Sequence, residues 1–338
     1  MAHLFVRYVS GGGTSWGELA GPAPLSAQDT VEVRPLEQNP KSLRELIPLS
    51  SAGWDCGQAL RIAATQLLSP VTADSRLVCQ GLNYQEHAAE AQHAKRRSNL
   101  IFAKASSSLN GPYAPIVRPP EVELLDYEVE FGLVLRTALT AGAEVTDANI
   151  GTYVAGVVLC NDVSARDTMF GASFLQWFHG KSYRTFCPAG PVFYALSPGE
   201  VGATLNALSI KLWLNDDLRQ SASSSQLIYK PAETLTHLAR YLDLEVGDML
   251  LTGTPGGVTS PASPKLVEIL RTHLMADDAR RDALRVEMTK GRPFMKAGDV
   301  VKATLHDDLH GRTLGGQANA IVEMMPVERG ARAAVSHL

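Results

Sequence analysis

The segment DYEVEFG, residues 126–132, carries the sharpest local pattern of charge in this sequence. If Tyr127–Leu135 is a strand, period-two alternation puts Glu128 and Glu130 on one face and Tyr127, Val129 and Phe131 on the other. Two like charges side by side are destabilising unless their face is well solvated or a cation lies between them. Spacing alone leaves both readings open. Further on, YVAGVVLCNDVSARD reads as a nearly continuous apolar strand that ends at Asn161 and Asp162. Asp162 then either points into the same cavity as the glutamates or serves as a helix cap or turn former. Three carboxylates with no soft ligand nearby suit a hard cation, Mg2+ or Mn2+, with water completing the octahedron.

In GLNYQEHAAE, His87 and Glu90 lie three apart and share one face of a short helix. A carboxylate beside an imidazole orients the ring for taking a proton from water, although the spacing equally describes an exposed surface pair. Lys181, in FHGKSYRTF, follows a glycine among aromatics, a setting that desolvates an ammonium and lets it stabilise an enolate or a substrate carboxylate. Arg166 can pair bidentately with a carboxylate, or SARD can form a structural ion pair. In DMLLTGTPGGV the turn amides and the Thr254 hydroxyl can hold an anion. That turn matches neither nucleotide-binding glycine spacing, so nucleotides are disfavoured.

These residues need a scaffold, and the chain can build one. It has 338 residues, 45% of them hydrophobic, and a formal charge of −4, enough for one sizeable core and a smaller companion domain. No basic stripe exists to neutralise phosphates, so a small molecule rather than nucleic acid is the expected partner. Cys56, Cys79, Cys160 and Cys187 lack metal spacing and read as reduced thiols. The N-terminus lacks a signal-peptide pattern and no apolar run approaches the ~20 residues that span a bilayer, so a cytoplasmic protein without membrane contact is expected.

Residues 1–72 read as a small β-rich domain with a helix around Gly57–Leu68. From residue 73 to about 330, short apolar runs separated by Gly, Pro, Asn and Asp predict a β-dominated α+β domain. A clear helix there is Pro231–Tyr241. Residues 260–292 are charged and amphipathic and read as a helical insertion whose charges form a solvated face.

The order GLNYxxHAxE, FAKASSSLNGP, DYEVEFG, NDVSARD, GKS and LTGTPGGV resembles the fumarylacetoacetate hydrolase superfamily from about Arg76 to Glu323, and VRY…WGELAG resembles the N-terminal domain of its bacterial two-domain members. The resemblance implies a mixed β-sandwich roll, usually in a homodimer. It implies Glu128, Glu130 and Asp162 as metal ligands, His87 and Glu90 as a catalytic dyad on a lid, and Lys181 facing the substrate. Arg166, Lys104 and Thr254 match positions near the substrate or in its supporting shell. The implied activity is metal-dependent hydrolysis of a C–C bond in a small diketo acid, with His87 activating water and Lys181 stabilising the departing enolate. A decarboxylase or enol–keto isomerase on the same scaffold is the alternative, and a non-catalytic metabolite-binding protein a third reading. Two departures bear on the substrate: Met169 stands where many members carry glutamine, suggesting a more apolar substrate end, and residues 260–292 lie close to the TGTPGGV turn. Phe170, Phe174, Trp177 and Phe178 hint at a bulky acyl group or are ordinary core.

Overall fold

The computed structural model describes residues 2–84, 99–172, 174–260 and 263–325. Two sheets dominate them. One has eleven strands, and its main path runs Leu60–Ala63, Thr30–Pro35, Gly13–Leu19, His3–Ser10, Phe193–Ala195, Val154–Asn161, Val129–Leu135, Met249–Leu251, Leu77–Gly81 and Leu100–Lys104. The other has five, ordered Asp217–Ser223, Leu208–Leu214, Val300–Asp307, Arg312–Glu323 and Ile116–Arg118. Within these two sheets the pairing is antiparallel except where Met249–Leu251 meets Leu77–Gly81 and Arg312–Glu323 meets Ile116–Arg118. The expected β-dominated mixed architecture is present.

Why the strand Val129–Leu135 is buried along its whole length follows from what lies on its two faces. Val129, Phe131 and Leu133 enter the core that also holds Ile210, Leu212, Ala303 and Leu305 of the smaller sheet. Val134 packs on the opposite side with Cys160, Met249 and Leu251, and Glu130 has the same parity as Val134. The strand therefore carries a carboxylate into a dry layer. Gly132 fits that layer because a Cβ there would lie 2.4 Å from Met249 Sδ.

One helix was misplaced by the sequence reading. Leu60–Ala63 is a strand paired with Thr30–Pro35, with Ile62 buried and Arg61 and Ala63 exposed, so alternation overrides the helical reading of 57–68. The helix of this region is Leu43–Ala52, started by Ser42, whose side chain accepts from Glu45 N. Leu43, Leu46 and Ile47 bury its inner face against the large sheet. The expected helix at 231–241 is present as Pro231–Leu238. Residues 260–292 hold two helices, Pro264–Thr272 and Asp277–Met288. Among the described residues no helix is long and apolar enough to cross a membrane.

Candidate functional site

The strand Val129–Leu135 pairs with Val154–Asn161 so that Val129 faces Asn161 and Glu130 faces Cys160. That register brings the residue before one strand beside the residue after the other. Glu128 N–H donates to Asn161 Oδ1 at 3.0 Å, and Asp162 N–H donates to the Glu128 carbonyl at 2.8 Å. Two backbone-anchored carboxylates are thereby locked side by side, with Glu130 one strand step away. Glu128, Glu130 and Asp162 offer oxygens that all lie within 4.8 Å of one another. Glu128 is 7% exposed and the other two are fully buried, so the solvated-face reading of the pair fails. Asp162 caps no helix either, since Ala165 holds the N-cap position of the helix Arg166–Gly171.

Glu130 is the least satisfied of the three. Its Oε2 accepts from Gly253 N–H at 2.7 Å, while its Oε1 is buried without a hydrogen-bond partner. Burial first, then the charges of Asp162 and Glu128, hold its carboxyl well above the usual carboxylate range. An orphaned hard oxygen, two neighbouring carboxylates and no sulfur or imidazole among the three form a donor set that fits Mg2+ or Mn2+.

The anion held by the TGTPGGV turn is thus the chain's own glutamate. Gly253 has φ +91°, and a Cβ on it would approach Asn83 Cβ to 2.9 Å, so glycine is required there. Thr254 Oγ1 donates to the Val129 carbonyl at 3.0 Å and accepts from Gln220 Nε2 at 2.8 Å. Its hydroxyl fastens the turn to the strand while the residue still lines the cavity above. Gln220 gave no signal in sequence; its Oε1 also accepts from Val129 N–H at 2.9 Å.

Lys181 Nζ donates to Glu128 Oε2 at 2.8 Å and to Asp162 Oδ2 at 2.7 Å, and lies 5.2 Å from the centroid of the Phe102 ring. Burial pulls its pKa down, but Asp162 and Glu128 outweigh that and the net shift is upward, so it stays an ammonium. Gly180 precedes it because a Cβ would sit 2.3 Å from Met169 Cγ. Met169 is accordingly buried beneath this helix and does not line the cavity, which corrects its expected part at the substrate end.

Arg166 donates to Asp126 Oδ2 from both Nε and Nη2 at 2.9 Å and to Glu128 Oε1 at 2.6 Å. Burial lowers its pKa, but Glu128 and Asp126 raise it further, for a net rise. Its partner is the aspartate that opens DYEVEFG and not the Asp167 of SARD. Asp126, missed in the sequence, also accepts from Thr259 N–H at 3.0 Å and Ser260 N–H at 3.2 Å. Lys104 donates to Asp162 Oδ1 at 2.7 Å and to the carbonyls of Val163 and Lys181. Its side chain is fully buried against the cluster and is not among the described residues lining the cavity. His87 and Glu90 lie outside the described residues.

A cavity of about 330 Å³ opens over Glu128, Arg166, Lys181 and Thr254. The fumarylacetoacetate (FAA) hydrolase C-terminal family profile matches residues 76–322, which contain every one of these side chains. The chain belongs to this family. Mitochondrial oxaloacetate tautomerase FAHD2B of Bos taurus is 37% identical over 191 residues, 56% of this chain and 59% of that protein. The chain thus matches under two thirds of that relative's length. Mitochondrial oxaloacetate tautomerase fahd2 of Xenopus laevis is 30% identical over 256 residues, 76% of this chain and 68% of that one. Among solved structures, the fumarylacetoacetate hydrolase of Exiguobacterium antarcticum superposes with a TM-score of 0.69 at 25% identity, covering 95% of this chain and 100% of that chain. A probable 2-hydroxyhepta-2,4-diene-1,7-dioate isomerase of Mycobacterium abscessus, with a TM-score of 0.68 at 24% identity over 96% of this chain and 100% of that chain, shares the fold.

Proposed function

We propose that the chain is a divalent-metal-dependent enzyme that enolises a 2-oxo acid, interconverting its keto and enol forms. The observation that carries this reading is the Lys181 ammonium set within 2.8 Å of two members of a buried three-carboxylate cluster, at the floor of the cavity. Glu128, Glu130 and Asp162 would hold Mg2+ or Mn2+, which supplies Lewis acidity toward the two oxygens of a 2-oxo acid. Lys181 Nζ, kept protonated by its carboxylate neighbours, serves as a hydrogen-bond donor toward the oxygen on which negative charge develops, and not as the base. Arg166, tied to Asp126 and Glu128, fixes the orientation of Glu128. The α-proton is assigned to the His87–Glu90 dyad of the sequence. Tautomerase relatives at 37% identity support proton transfer as the outcome.

Hydrolysis of a C–C bond in a diketo acid is the second reading. It is favoured by the histidine–carboxylate spacing of His87 and Glu90, which suits water activation. The two readings share the enolate and differ in whether water adds to a distal carbonyl.

Exchange of the C3 protons of 2-oxo acids into deuterium oxide, followed by NMR with Mg2+, Mn2+ or EDTA, tests the proposal. Metal-dependent deuterium incorporation at C3 with the carbon skeleton intact is expected. Metal-dependent formation of two fragments from 2,4-diketo acids would transfer the assignment to hydrolysis, and absence of both would refute the site's chemistry.

A further inference from the structure

The apolar side of the cavity forms a continuous path away from the carboxylates. Lys181 Nζ lies against Phe102; the Phe102 and Trp177 rings are 5.2 Å apart, and Trp177 and Phe170 meet edge to face at 6.1 Å. Phe170 in turn packs in the cluster that holds Leu266, Leu270 and Leu284 of the two helices at 264–288. Leu266, Val267 and Leu270 of the helix Pro264–Thr272 line the cavity at the end of this path. The helix presents them because Ser263 caps its first turn, accepting from Leu266 N–H at 3.1 Å, and Leu266 and Ile269 anchor its buried face.

Cations among the described lining residues are Arg166 and Lys181, and both are already bound by the carboxylates of Asp126, Glu128 and Asp162. A second carboxylate placed against the leucine, valine and aromatic side chains of this wall would lose its hydration without gaining a counter-charge from the described lining residues, which is costly. An alkyl or aryl group there would bury apolar surface instead.

We infer that the helix Pro264–Thr272 is the specificity wall of the site, and that it selects 2-oxo acids whose distal substituent is apolar over those ending in a second carboxylate. The inference rests on the enolising reading for the 2-oxo acid head group and adds the tail. It also sets this chain's preference apart from oxaloacetate, the four-carbon diacid in the names of its relatives.

Oxamates are unreactive analogues of 2-oxo acids, so binding separates the tail from the chemistry. Calorimetric titration of the Mg2+-supplemented chain with N-benzyloxamate and N-(carboxymethyl)oxamate is expected to give at least about tenfold tighter binding of the benzyl compound, the least that burying one aromatic group yields. Leu270→Arg, and separately Val267→Arg at the more exposed position on the same helix, should shrink that ratio at least tenfold by placing a cation on this apolar wall. Their thermal transitions check folding. Equal or tighter binding of the carboxymethyl compound, no binding of either, or an unchanged ratio in both folded variants would overturn the inference. If the benzyl preference holds while proton exchange is absent, the enolising reading falls and the apolar tail stands.

Discussion

Lys104 Nζ lies 2.7 Å from Asp162 Oδ1, and neither side chain has any solvent exposure. The other oxygen of the same carboxylate takes the ammonium of Lys181. Asp162 is therefore held from two sides, by one lysine from the strand Leu100–Lys104 and one from the helix Trp177–Lys181. Each ammonium offsets part of the cost of carrying a carboxylate into the interior.

Lys104→Met should therefore destabilise the fold by about 3 kcal/mol, because it leaves a buried carboxylate with one partner in place of two. Urea denaturation measures it, and a loss under about 1 kcal/mol would mean that Lys181 alone satisfies Asp162.

Glu130 gives the clearest test of metal binding. A divalent cation that binds the native chain and not the unfolded one should add about 2.7 kcal/mol of stability at a hundredfold excess over its dissociation constant. Mn2+ should raise the melting temperature of the natural chain, EDTA should reverse the rise, and Glu130→Ala should abolish it. An equal rise in the variant would remove Glu130 from the ligand set.

How much of this site was legible in advance depended on whether a residue's signal was local. Glu128 and Glu130 were readable because alternation along one strand fixes their shared face, and Asp162 because an apolar run stops at it. Asp126 was passed over although it stands in the same motif, since nothing in the spacing says that Arg166, forty positions on, closes against it. Gln220 and Gly253 act through contacts more than ninety residues away along the chain, and only the packed sheets reveal them. The strand at 60–63 was misread because its partner, Thr30–Pro35, supplies the alternation that its own composition leaves ambiguous. Residues 264–288 announced helices but not their role, because the inward side of Pro264–Thr272 is defined by Phe170 and Leu284.

Lys181→Met should separate charge stabilisation from metal binding. Its ammonium donates to Glu128 and Asp162, so removing it leaves the cluster more negative and should tighten Mn2+ binding. Turnover should nevertheless fall roughly 100- to 1000-fold, the typical effect of deleting one preorganised donor to a developing oxyanion. Calorimetry and the exchange assay read the two effects independently, and parallel losses of both would show that Lys181 only organises the ligands.

Arg280 controls the far wall. It is fully buried in a helix whose neighbouring charges are exposed, and its Nη1 donates to the carbonyls of His273 at 2.8 Å and Leu274 at 2.6 Å, just past the helix Pro264–Thr272. Its Nη2 holds Asp277 Oδ1 at 2.7 Å and reaches the Gly171 carbonyl at 3.4 Å, at the end of the helix that carries Phe170. One guanidinium thus joins the specificity helix, its successor and the aromatic wall. Arg280→Ala strands those carbonyls and should cost about 2–3 kcal/mol. It should also raise KM for a 2-oxo acid with an aromatic tail about tenfold, while leaving proton exchange of pyruvate, which has no tail to place, within about twofold. Equal losses on both substrates would show that Arg280 supports the carboxylate cluster as well. Unchanged KM values for both would show that the wall keeps its shape without it.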